Sequence, residues 1–131
     1  MTNYLPEDYA DYRLQRAKET LLEIETLIEN NFWNTAISRM YYACFYAVGA
    51  VMVKHNVQVS THAGIRQQFG KLFVKEGKFD NTLAKHYTEL FEKRNKSDYN
   101  DFFDYDEETA KSLFPPTREF ILKIEELLFQ D

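Results

Sequence analysis

The sequence predicts an all-α protein, an up-and-down antiparallel bundle of four to five helices in a single domain spanning residues 1–131. Three observations carry that prediction. Four Gly and three Pro leave few turn punctuators for a loop-rich or β-rich chain. Apolar residues recur at three-to-four spacing along most of its length. One stretch, Trp33 to Val53, holds only apolar, aromatic or glycine residues from Met40 onward, which predicts a helix buried on all sides with the others wrapped around it. Its fourteen-residue apolar run falls short of the ~20 residues a bilayer span requires, so a core helix is expected and no membrane segment.

The first helix should begin near Pro6, which suits a first helical turn, with Glu7 and Asp8 favourable at the positive end of the helix dipole. Ala10, Leu14, Ala17, Leu21, Ile24 and Ile28 form its apolar stripe. Asn30 and Asn31 end it, since Asn tolerates left-handed backbone, and they can cap the buried helix that follows. Ser60 or Thr61 can cap a third helix carrying Ile65, Phe69, Leu72 and Phe73, which Gly77 ends. Asp80 is the expected cap of a fourth, with Leu83, Tyr87, Leu90 and Phe91 on one face and Arg94 a turn further on. The polar, acidic segment after it should lay Phe102, Phe103 and Tyr105 on the domain. Asp104 and Glu107 have the form of a capping box opening the last helix. Pro115 and Pro116 should kink or break that helix near Leu113, before Phe120, Ile121, Ile124, Leu127 and Leu128 resume the stripe.

Net charge is −5, which argues against broad, non-specific nucleic-acid binding. The distribution is uneven: residues 62 to 97 carry eight basic against four acidic side chains, and residues 98 to 131 three against ten. Offsetting solvated faces or a local anion site would each produce that pattern. Cys44 is the only cysteine and lies in the apolar stretch, which excludes an internal disulfide and predicts an inert thiol. The start, MTNYLPEDYADYR, has no basic segment leading into an apolar run, so no secretory signal is expected and the cytoplasm is the expected location. His55, His62 and His86 are dispersed and make no recognisable metal set; no metal and no cofactor are expected. Nine Tyr and eleven Phe are many for this length and suit either a core or an interface, so self-association is expected.

Three strings stand in a particular order: A-I-S-R-M-Y-Y-A from Ala36 to Ala43, T-H-A-G-I from Thr61 to Ile65 followed by Phe69, and R-N-K-S-D-Y from Arg94 to Tyr99. Together they resemble the HEPN domain family across about residues 30 to 125. The resemblance implies an antiparallel helical bundle that dimerises. It also implies one of two roles, a metal-independent ribonuclease of a toxin–antitoxin pair or the partner of a small nucleotidyltransferase. The family's catalytic signature is an Arg followed by a polar residue, then a His separated from the Arg by four to six residues. Arg94 and Asn95 match its first half; Tyr99, Asn100 and Asp101 stand where the His would be, and none offers an imidazole. The Asp98-Tyr99 pair resembles the branch whose motif ends in Arg, a spacer, then Asp-Tyr.

Two functional readings follow. The first is a homodimeric HEPN-type binding module of a two-component system, with a nucleotidyltransferase-like partner and Arg39, Tyr42, Arg94, Asp98 and Tyr99 around its groove. The second is an RNA endonuclease in which Arg94 and Asn95 act with a displaced His62, cleavage proceeding through the RNA's own 2′-hydroxyl. Arg94 suits a phosphate or partner carboxylate, or else a structural pair with Asp98. Arg39, beside the buried helix, needs a partner, and Asp98 is the expected one. Tyr99 reads either as a buried tyrosine bonded into the bundle or, by resemblance to adenylated HEPN toxins, as a modification site.

Overall fold

The structure, a computed structural model, describes residues 5–99 and 104–129, apart from the side chain of Pro6. Five α-helices follow in order: α1 (Pro6–Glu29), α2 (Trp33–Lys54), α3 (His62–Phe69), α4 (Asn81–Asp98) and α5 (Glu107–Leu128), with α3 passing into a π-helical stretch at Gly70–Val74. The expected Phe102 and Phe103 contacts lie outside the described residues.

The three-residue turn after α1 makes α1 and α2 an antiparallel hairpin. Asn31 takes the left-handed backbone the sequence predicts, at φ 63°, and Asn30 returns its side-chain amide to the Thr26 carbonyl at 2.8 Å. Neither Asn caps α2; that position falls to Phe32, whose side chain makes no capping bond. Thr61 caps α3 by accepting from the Gly64 N–H, and Asp80 caps α4 by accepting from the Leu83 N–H, each at 2.9 Å. Asn34 lies against Asp104, and Lys54 donates to the Leu128 carbonyl, so α2 and α5 run in the same direction. Ion pairs Lys18–Glu125 and Arg118–Glu25 fix α5 antiparallel to α1. The four long helices thus alternate in direction, and α2 packs against every other α-helix.

The core gathers the residues the stripes pick out: Ala10, Leu14, Ala17 and Ile24 of α1, Leu83, Tyr87 and Leu90 of α4, and Phe120, Ile121, Ile124, Leu127 and Leu128 of α5. Helix α2 is long and apolar enough to cross a membrane, but 67% of its most apolar window is packed inside the bundle, as in the core helix of such a fold. Burial is not complete on all its sides. Tyr42, Phe45, Tyr46 and Val53 are only half-buried, because the neighbours over the three rings are arginine side chains, which keep access to water while covering aromatic surface.

Two further expectations, both about α5, are corrected. The cap of α5 is Asp106, accepting from the Thr109 N–H at 2.8 Å, while Asp104 accepts instead from the Asn34 amide at 3.1 Å. Of the expected kink or break at Pro115 and Pro116, the break does not occur: α5 runs through both. The two carbonyls deprived of a donor belong to Lys111 and Ser112, which are exposed and reach water, while Leu113, Thr117 and Phe120 hold the buried face on either side. The wider turn at Gly70–Val74, closed by Lys75 N–H to the Gly70 carbonyl at 2.8 Å, brings Phe69 and Phe73 together into the core with ring centroids 5.7 Å apart.

Candidate functional site

Helix α4 carries Arg94 to its last turn, where the side chain is 13% exposed and faces the half-open side of α2. Its guanidinium has two hydrogen-bond partners, one ion-pair partner and two rings around it. Nη1 donates to the Tyr42 hydroxyl at 2.8 Å, Nη2 donates to Asn95 Oδ1 at 2.7 Å, and Nε lies 3.8 Å from the Asp98 carboxylate. The Cζ atom sits 4.9 Å from the Tyr41 ring centroid and 5.6 Å from that of Tyr42. The structural pairing of Arg94 with Asp98 is therefore present, as an i, i+4 ion pair.

Arg39 does not pair with Asp98. Its Nη2 bonds Glu23 of α1 at 3.2 Å, because α1 is the antiparallel neighbour on that side of α2, and its Cζ lies 5.5 Å from the Tyr42 ring centroid. Tyr42 thus stands between two arginines, its ring under Arg39 and its hydroxyl on Arg94. Arg39, Tyr42, Arg94 and Asp98 form one continuous set of contacts. Tyr99, the residue after α4 ends, is 84% exposed, so the buried-tyrosine reading is overturned: with the helix finished at Asp98, its side chain falls beyond the bundle.

His62, at the start of α3, reaches the same place from the other side. Its ring stacks on Phe45 at 4.3 Å and shares a 2.6 Å hydrogen bond between Nδ1 and the Tyr41 hydroxyl. Burial, and then the charge of Arg94, hold its pKa below the ordinary histidine value, so the imidazole is neutral at pH 7. Tyr41 is buried, and burial pushes its pKa up to about 12 against the opposing pull of Arg94, so it keeps its proton. His62 and Arg94 therefore flank one tyrosine pair, Tyr41 and Tyr42, and the site holds a fixed cation, a neutral imidazole and two phenolic hydroxyls. Such a set can bind an anion, and His62 Nε2 can accept a proton in the tautomer whose Nδ1–H donates to the Tyr41 oxygen.

Sequence reasoning missed Tyr41, which joins His62 to Arg94, and Arg66, whose Cζ lies 4.6 Å over the Phe91 ring and whose Nη1 bonds Thr88 at 3.4 Å. The tandem Tyr41-Tyr42 was the available signal: adjacent helical positions point about 100° apart, so one ring can enter the core while the other lines its edge. The other histidines lie elsewhere. His86 is buried and bonds Thr117 Oγ1 at 2.9 Å, and His55 returns Nδ1 toward the Val51 carbonyl. Cys44 is fully buried, and burial pushes its thiol pKa well up. Among the described residues no three His, Cys, Asp or Glu side chains form a group able to hold a metal.

The HEPN domain model matches residues 10–127. The chain belongs to the HEPN domain family. Among its relatives, a UPF0332 protein of Thermotoga maritima is 34% identical over 122 residues, 93% of this chain and 92% of that protein. Two Methanocaldococcus jannaschii proteins also match. The one named "Putative toxin MJ0605" is 30% identical over 88% of this chain and 85% of its own length, and the one named "Putative toxin MJ0142" is 28% identical over 88% and 78%. The HEPN matches cover both halves of the site, since Arg39, His62 and Arg94 all fall within residues 10–127.

Proposed function

We propose that this HEPN domain is the interaction module of a toxin–antitoxin-like pair, acts as a homodimer, and has a small nucleotidyltransferase-like protein as its partner. The observation that supports this reading is the fixed Arg94 cation at the end of α4 beside a tyrosine, Tyr99, that is 84% exposed. The Arg94 guanidinium is already held by Tyr42 and Asn95, by the charge of Asp98 and by aromatic rings, which suits a docking surface more than a catalyst that must re-form its contacts in each turnover. Two relatives carry the name "Putative toxin", which supports a toxin-like role for this fold. The test is co-expression with a small nucleotidyltransferase encoded beside the gene, followed by co-purification and intact-mass measurement. A complex, or one adenylate added and lost in Tyr99→Phe, is the expected result. Neither complex nor adenylate, together with RNA cleavage in EDTA that Arg94→Ala abolishes, overturns it. Light scattering at micromolar concentration that gives a mass near 15.6 kDa overturns the dimer.

One observation favours a second reading, a metal-independent RNA endonuclease. His62 and Arg94 meet on the Tyr41–Tyr42 pair, which supplies a neutral imidazole near the cation despite the missing motif histidine. In that reading His62 Nε2 takes the proton of the 2′-hydroxyl while Arg94 and Asn95 hold the phosphate. Cleavage lost in both His62→Ala and Arg94→Ala, with the fold retained, would select it.

A further inference from the structure

A second cavity lies on the far side of Phe45 from the Arg94 cluster, between the first turns of α1, the middle of α2 and the 57–60 connection. Its volume is about 590 Å3; Phe45, Met52, Val53, Val57, Val59 and Ile65 make its apolar walls, and Gln58 and Ser60 add polar groups at the connection. Among the described residues that line it, Arg13 is the one that carries a charge. The other arginines of α1, α2, α4 and α5 have carboxylate partners: Arg16 with Glu19, Arg39 with Glu23, Arg94 with Asp98 and Arg118 with Glu25. Arg13 has none among the described residues, and neither has Arg66 of α3, which lies over Phe91 and bonds Thr88 outside this cavity. Its Nη1 makes one long contact, 3.5 Å, to the Tyr9 hydroxyl, and its Nε is buried without a hydrogen-bond partner.

The guanidinium is nonetheless firmly seated. Its Cζ lies 5.6 to 5.8 Å from the ring centroids of Phe45, Tyr46 and Tyr9. It rests flat on Gly49, where a Cβ would come within 2.4 Å of Nε. A glycine in the middle of a core helix is destabilising relative to alanine, and here it makes the room in which the cation sits. An apolar cleft of ~300–1,000 Å3 with a few convergent polar groups has the form of a small-molecule site, and an unpaired guanidinium is the group that binds a carboxylate in bidentate fashion.

We propose that this cleft binds a small monocarboxylate with an aliphatic body, its head on Arg13 and its chain along Val57, Val59 and Ile65. The site is separate from the Arg94 cluster and independent of the function proposed for it. Phe45 is a wall of both, with the His62 ring stacked on it, so His62 ring-proton shifts report occupancy of this cleft.

The probe is octanoate, compared with octanol, in calorimetric and NMR titrations of the full chain. Octanoate should bind the wild type at millimolar concentration or tighter, shift His62, and bind at least about tenfold tighter than octanol, a difference of about 1.4 kcal/mol. Arg13→Gln should remove that preference and leave octanol unchanged. Gly49→Ala displaces the guanidinium without deleting it and should give the same loss, so a folding defect in one variant leaves the other as the test; circular dichroism checks both. Equal binding of octanol and octanoate, unaltered octanoate binding by folded Arg13→Gln, shifts confined to another face, or no binding by folded wild type each overturns the proposal.

Discussion

Replacing Tyr42 by phenylalanine removes one oxygen from the centre of the candidate site and leaves the rings in place. That oxygen accepts Arg94 Nη1 at 2.8 Å, and the Arg94 side chain is only 13% exposed, so water can replace the lost acceptor only in part. Hydrogen bonds to charged groups contribute about 1.5–3 kcal/mol, and residual solvent access puts this one near the lower end, about 1–1.5 kcal/mol. The stacking of Arg94 over ring 42, at 5.6 Å, survives in phenylalanine. For a chain of 131 residues each kcal/mol lowers Tm by about 3–5 °C, so a fall of about 3–7 °C is expected. Urea unfolding of the wild type, Tyr42→Phe, Arg94→Met and the double variant isolates the pair as a coupling energy near 1 kcal/mol. Tyr12→Phe, at an exposed position, should change stability by less than about 0.5 kcal/mol and serves as the control. A coupling below about 0.3 kcal/mol would refute the claim that Tyr42 holds Arg94 in place.

Two further predictions concern the histidines. Burial lowers the pKa of both His62 and His86 in the folded state, so the unfolded chain takes up their protons first as pH falls. Stability should therefore be full above the model-peptide value of about 6.5, decline below it, and level off for these groups once pH is under their folded values. Unfolding midpoints measured from pH 7.5 to 5 should show the decline, and His62→Gln with His86→Gln should flatten it; an unchanged slope in the double variant contradicts the assignment. In α5, Thr117 donates to the Leu113 carbonyl at 2.8 Å and accepts from His86 at 2.9 Å, wholly buried. Thr117→Val strands the His86 donor and should cost about 1–3 kcal/mol by urea unfolding, whereas Thr117→Ser, which keeps the hydroxyl, should cost clearly less.

Most of the fold is readable in the chain because each helix announces itself locally. The periodic stripe of α1, the left-handed Asn31, and the caps Thr61 and Asp80 all follow from backbone chemistry within a few residues. The errors fall where two local solutions compete. Asp104 and Asp106 are both able caps, and what decides between them is Asn34, seventy residues away, which binds Asp104. Two prolines forbid two hydrogen bonds in α5 but do not forbid the helix, because the carbonyls concerned point to water. The site divides in the same way. Arg94 with Asp98 is an i, i+4 pair and readable; Arg39 with Glu23 depends on which helix lies beside α2 and is not. The meeting of His62 with Arg94 depends on Tyr41, whose role appears only when α3 and α4 both close on α2.

The bonding of Arg94 also limits how the proposed function can work. A guanidinium has five N–H donors; Tyr42 and Asn95 each take one, while Asp98 at 3.8 Å from Nε holds its place by charge without a hydrogen bond. A free phosphate must therefore displace Asp98 and expose its own charge to that carboxylate. A phosphate attached through Tyr99 is different, since the tether raises its effective concentration beside Arg94 and makes exchange with Asp98 an intramolecular event. The consequence is an order of affinities. Adenylated chain should hold its phosphate on Arg94, detectable as a changed Arg94 Nε resonance, at concentrations where free AMP leaves that resonance unmoved. If free AMP moves it as readily, Asp98 is no barrier, and Arg94 is better read as the phosphate grip of a nuclease than as part of a docking face.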